Sequence, residues 1–166
     1  MFKALRVSTI VALFALFPVL SLAQGASVAF GGLKQDTTLP VEVTADNLAV
    51  NQADGTAEFS GNVLVGQGDM RLSAGRVKVE YTADGTGISR LFASEGVTLI
   101  NATDAAEARE AIYTIESGEV VMTGDVLLTQ GGNALSGQKL VIDLKAGTGV
   151  MEGRVQTVFQ PGKAKN

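Results

Sequence analysis

Strict alternation of apolar and polar residues governs this chain from Pro40 onward, and few folds are compatible with it. "VEVTA" sets Val41 and Val43 on one face and Glu42 and Thr44 on the other. "AEFSGNVLV" repeats the pattern with Phe59, Gly61, Val63 and Val65, and "RVKVEY" with Val77, Val79 and Tyr81. "EVVMTGDVLLT" offers Val120, Met122, Gly124, Val126 and Leu128, and "KLVIDL" offers Leu140, Ile142 and Leu144. A period of two over five to nine residues means strands with one buried face. Turn signals separate them: "ADG" at 53–55 and 83–85, "QGD" at 67–69, "GGN" at 131–133 and "AGTG" at 146–149. Closely spaced turns between short strands indicate an all-β sandwich, barrel or roll. Asn101 to Tyr113 is the one stretch with helix-favouring composition, but its apolar spacing is poor. It reads as a polar loop leading into a strand, since "AIYTI" returns to alternation with Ala111, Tyr113 and Ile115.

The strands also repeat. At an offset of 63, residues 55–81 and 118–144 match without a gap at eight positions, among them Gly61/Gly124, Val63/Val126, Gln67/Gln130, Gly68/Gly131 and Leu72/Leu135. The apolar residues keep the same parity in both copies. A fixed period implies stacked units sharing one continuous core. Aromatic residues make up only 5% of the chain, and large rings are the efficient filler of a roll. Gly61 and Gly124 in the inward phase are expected to leave further space. A roll lined by Val, Leu and Met but short of bulk has room for alkyl chains.

The N-terminus is a targeting segment. Lys3 and Arg6 precede an apolar run from Val7 to Leu20, and Ser21 and Ala23 supply small residues before Gln24. This is the layout of a secretory signal peptide over 1–23, cleaved after Ala23. An uncleaved anchor is the alternative, although the run is short of the roughly 20 residues that span a bilayer and contains Pro18. The expected organisation is a flexible lead-in at 24–39, one domain at 40–161 and a tail at 162–166.

Without Lys3 and Arg6, 11 basic residues face 17 acidic ones, a balance that argues against nucleic acid as a partner. The chain has no His, Cys or Trp. That removes the serine–histidine relay, thiolate chemistry and His- or Cys-based metal sites. Asp and Glu fall singly at turns and strand ends, as solvated turn residues do, so no catalytic residue, metal or cofactor is expected. A secreted β-roll enzyme acting on polysaccharide would need two facing carboxylates.

Leu39 to Tyr81 resembles the OstA-like family of periplasmic lipopolysaccharide-transport bridge proteins. The residues that carry the likeness are Pro40-Val41-Glu42-Val43-Thr44-Ala45-Asp46, the run Phe59 to Gly68 ("FSGNVLVGQG"), and Leu72 to Val79. Met122-Thr123-Gly124-Asp125 and Gln130 match the family's second unit, and "RVQTVFQP", Arg154 to Pro161, its closing strand. The resemblance implies an antiparallel β-jelly roll of two sheets splayed into a V-shaped trough. It implies copies stacked end to end by strand addition, carrying lipopolysaccharide between inner- and outer-membrane transport proteins, with an ATP-driven pump supplying direction. A membrane-tethered component of the same system shares this fold and is the alternative. By position, the family's groove pair at the first strand falls on Val41 and Val43. Its groove aromatic falls near Leu99, and its basic mouth residue near Tyr81, where this chain has no charge. The segment Ala102 to Arg109 departs most from the pattern. The expected trough is therefore lined by Val41, Val43, Phe59, Val63, Val65, Leu72, Val77, Val79, Leu99, Met122, Val126, Leu128, Leu140 and Ile142.

Overall fold

The computed structural model describes residues 26–29 and 33–160; the expected signal peptide and tail lie outside them. Thirteen strands follow one another in chain order: β1 (Ala26–Ala29), β2 (Glu42–Thr44), β3 (Asn47–Asn51), β4 (Thr56–Gln67), β5 (Met70–Tyr81), β6 (Ile88–Ser94), β7 (Val97–Asn101), β8 (Asp104–Ala108), β9 (Glu110–Thr114), β10 (Glu119–Gln130), β11 (Asn133–Asp143), β12 (Thr148–Glu152) and β13 (Gln156–Val158). All pairings are antiparallel.

Four strands are long, and each serves two sheets. The first half of β4 pairs β3 and its second half pairs β2. β5 pairs β7 at its start and β6 at its end, β10 pairs β9 and then β8, and β11 pairs β13 and then β12. One wall is thus the β3, β4, β5, β6, β9, β10, β11, β12, β1 series. The other is the β2, β4, β5, β7, β8, β10, β11, β13 series. Both walls leave a common seam where the long strands bend, so the fold is a V whose apex is continuous backbone. The hairpin tips form its two lips.

The seam is made by β-bulges. Pairing slips between Ser60 and Val63 on β4 and between Thr123 and Val126 on β10, and the extra residue bends the strand and re-aims the side chains beyond it. Gly61 and Gly124 have φ of 79° and 86°, and Asn62 and Asp125 come next at 46° and 48°. That region is open to glycine and, among other residues, most readily to Asn and Asp. The glycine–Asn/Asp pair of the sequence is therefore the bend itself. It leaves no surplus space, contrary to expectation: a Cβ at Gly61 would stand 2.5 Å from Asp46 Oδ2, and one at Gly124 3.0 Å from the Arg109 side chain. Each bend is tied from outside. Asn62 Nδ2 donates to Asp46 Oδ2 at 2.8 Å, and Arg109 donates to Asp125.

Three other expectations change. The expected polar loop before Ala111 contains strand β8, because Ala106 fits a fully buried slot between Leu99 and Leu128; alanine alternation carries little β signal. Tyr81 is 43% exposed, since the β5–β6 register shifts after Glu80. Within the lead-in, β1 pairs β12 and Leu33 is fully buried, so this segment is tied to the domain at both places.

Gly124→Ala should therefore lower unfolding free energy by about 2 kcal/mol or more, from left-handed strain plus the clash. Gly85→Ala, at φ 68° with open space around it, should lose only about 1 kcal/mol. Urea denaturation of both variants measures the difference, and equal losses would mean the bend is not sterically constrained.

Candidate functional site

The inner face of each wall is a set of side-chain rows running across the strands. In the first wall one row reads Leu48, Phe59, Val77, Ala93, Ala111, Met122, Leu140, Met151. The next reads Val50, Ala57, Val79, Leu91, Tyr113, Val120, Ile142. The second wall answers with Val43, Val65, Leu72, Leu99, Ala106, Leu128, Leu135. Val63 and Val126 stand at the seam. Directly paired side chains on one face lie about 5 Å apart, so each row is a continuous apolar band, aliphatic except at Phe59 and Tyr113.

Of the expected lining residues, Val63, Val65, Leu72, Val77, Val79, Leu99, Met122, Val126, Leu128, Leu140 and Ile142 are 1% exposed or less. Val41, Val43 and Phe59 are partly buried and pack against them. All fourteen therefore belong to one interior. In the centre the two walls meet side chain to side chain. At the β2–β3 end they do not: Leu48 and Val50, in register with Phe59 and Ala57, are 56% and 63% exposed. The aliphatic bands thus run out to solvent at that end.

Buried polar groups gather at the lip of the second wall, at the β4–β5, β7–β8 and β10–β11 tips. Gln67, Asn101 and Asp104 are nearly inaccessible. Asp104 accepts from Gln130 Nε2 at 3.0 Å, and Asn101 Nδ2 is buried without a partner. Gln67 reaches across the interior. Its Oε1 accepts from the Tyr113 hydroxyl of the opposite wall at 2.6 Å. Its Nε2 donates to the carbonyls of Leu39 at 2.8 Å and Thr37 at 3.1 Å. Its own carbonyl accepts from Gln35 Nε2 at 2.8 Å. Sequence reasoning took Gln67 for a turn residue and Tyr113 for part of an ordinary strand. The signal that distinguishes them is a glutamine continuing the inward phase of Val63 and Val65, and one of only two tyrosines.

This fold and interior define a class: an antiparallel two-walled β-roll with a continuous aliphatic lining. The chain belongs to the LptA/(LptD N-terminal domain) family of LPS transport proteins, whose model matches residues 42–148. It is 30% identical over 156 residues to an uncharacterized protein of Rhizobium meliloti strain 1021, covering 87% of this chain and 84% of the relative. It is 26% identical over 132 residues to the lipopolysaccharide export system protein LptH of Pseudomonas aeruginosa, covering 75% and 74%. To LptA of Haemophilus influenzae it is 23% identical over 154 residues, covering 86% and 89%. The crystal structure of the Pseudomonas aeruginosa LptH superposes with a TM-score of 0.68 at 21% identity, over 76% of this chain and 99% of that one. That likeness shows the fold.

Burial pushes the Tyr113 hydroxyl up to about 12, against a smaller lowering by its bond to Gln67. The unfolded chain ionises near pH 10. The stabilisation from keeping this phenol neutral and bonded is complete below pH 10 and disappears as pH rises through about 12. The loss amounts to roughly 2–3 kcal/mol. Thermal stability should fall more steeply between about pH 9 and about pH 12 in the native protein than in Tyr113→Phe. Parallel curves would mean the phenol is not held this way.

Proposed function

We propose that this protein is a non-enzymatic periplasmic carrier and bridge, sheltering the acyl chains of lipopolysaccharide between its walls and relaying the lipid from inner to outer membrane. The observation that carries this reading is the apolar lining, continuous across both walls, in a member of an LPS transport family. Each methylene exposed to water costs about 0.8 kcal/mol, so moving several acyl chains through an aqueous space unaided costs tens of kcal/mol. Inside the roll a guest alkyl chain exchanges side-chain contacts for equivalent lipid contacts. A lining of uniform chemistry makes successive positions nearly level in free energy. Direction then has to come from partners in the inner membrane.

The same reading accounts for the ends of the roll. The outer edges of β2 and β3 at one end, and of β1 and β13 at the other, have no strand beside them among the described residues. Free edges are normally an aggregation hazard, and they serve a protein that extends its sheets by adding strands from a neighbour. Joined end to end, copies would continue the exposed Leu48 and Val50 rows from one interior to the next. Export with cleavage after Ala23 would free the chain from the membrane for this assembly.

Two experiments test the reading. A photo-crosslinker at Val65 or Val126 should capture lipopolysaccharide during active transport, and Val65→Asp should abolish lipid co-purification by placing a charge in the lining. Capture at neither position would remove the trough assignment. Native mass spectrometry of the exported protein should give a chain starting at Gln24 and multimers that grow with concentration. A strictly monomeric protein at all concentrations would remove the bridge.

A further inference from the structure

Residues 33–39, which precede β2, run between the two lips. β1 lies beside β12 at one end of the first wall, and β2 is the edge of the second wall at the other end. On the way, Leu33 is fully buried and joins the core. Gln35 then touches both lips. Its backbone N–H donates to the Leu144 carbonyl of the first wall at 2.8 Å, and its side chain donates to the Gln67 carbonyl of the second at 2.8 Å. Thr37 Cγ2 lies 3.1 Å from where a Cβ on Gly118 would be, at the β9–β10 tip of the first lip. The Thr37 carbonyl accepts from Gln67 Nε2.

We propose that residues 33–39 are an intramolecular strap that closes the trough, with Leu33 occupying the place of a guest alkyl chain and Gln35 and Gln67 fastening the lips. This rests on the carrier reading above. The fastening is made of neutral hydrogen bonds and one apolar plug, so an acyl chain competes for it directly. The chain replaces Leu33 in kind, while the released amides and carbonyls of the strap gain water. The strap is tethered at both ends, through β1 and β2, and so returns when the guest leaves. Its effect is to keep the lining dry between cargoes and to admit ligands able to fill the space that Leu33 vacates.

The chain contains no native cysteine, so a strap lock is clean. Thr37→Cys with Gly118→Cys places the two sulfurs for a disulfide between strap and lip. The φ of 73° at residue 118 strains any side chain there, and the reduced form of the same double variant carries that strain equally, so it is the reference. Binding of lipopolysaccharide to the exported full-length protein should be at least about ten-fold weaker oxidised than reduced, a shift of about 1.4 kcal/mol. In a second variant, Leu33→Ala, binding should tighten several-fold, and lipid should raise hydrogen exchange at the Gln35 amide in the native protein. Equal binding by oxidised and reduced forms, or no gain from Leu33→Ala, overturns the strap and leaves the carrier reading intact. Binding by no form, the native protein included, overturns the carrier reading and the strap with it.

Discussion

The whole architecture depends on one local backbone event, made twice. At Gly61–Asn62 and again at Gly124–Asp125, positive φ lets a long strand leave one wall and join the other. Because β4 and β10 are continuous through these points, the walls share covalent strands, not loops. That places every hairpin tip at the far edge and makes the interior a wedge. The Asp46–Asn62 bond and the Arg109–Asp125 pair brace the bend from outside. They are exposed and contribute little to stability by themselves. Their value is in aim, since a change of bend would shift whole rows out of register with the facing wall.

Much of this was legible in the chain, and the limits of legibility are physical. Alternation placed Val63, Val65, Met122, Val126, Leu128, Leu140 and Ile142 inward, and all are buried, because period two is a direct consequence of the pleat. The family resemblance put Leu72 and Val77 in the same lining although they are an odd number of residues apart, and both are buried. Only the step in β5 at the seam permits that. Ala106 was missed because alanine fits helix, strand and loop alike. Tyr81 and the spare room at Gly61 were misjudged for a related reason: a bulge or register shift is invisible to a parity count. The cross-wall bond of Tyr113 to Gln67 joins residues 46 apart in the chain, and no local pattern reports on it.

Function follows from a division between the middle of the interior and its margins. The middle is apolar, crossed by the single Tyr113–Gln67 hydrogen bond. The lips and ends carry the polar groups, the free strand edges and the strap. On the carrier reading proposed above, shielding hydrocarbon and handing it on fall to different parts of one fold. The hairpins β4–β5 and β10–β11 each cross the seam at a bulge and contribute to both walls.

The Tyr113–Gln67–Gln35 connection joins uncharged groups throughout. Coulombic fastenings weaken as mobile ions accumulate around them, whereas hydrogen bonds between neutral partners are nearly indifferent to ionic strength. A strap fastened in this way holds with the same firmness in dilute and in saline surroundings, so changes of salt concentration would leave the resting state of the wedge undisturbed.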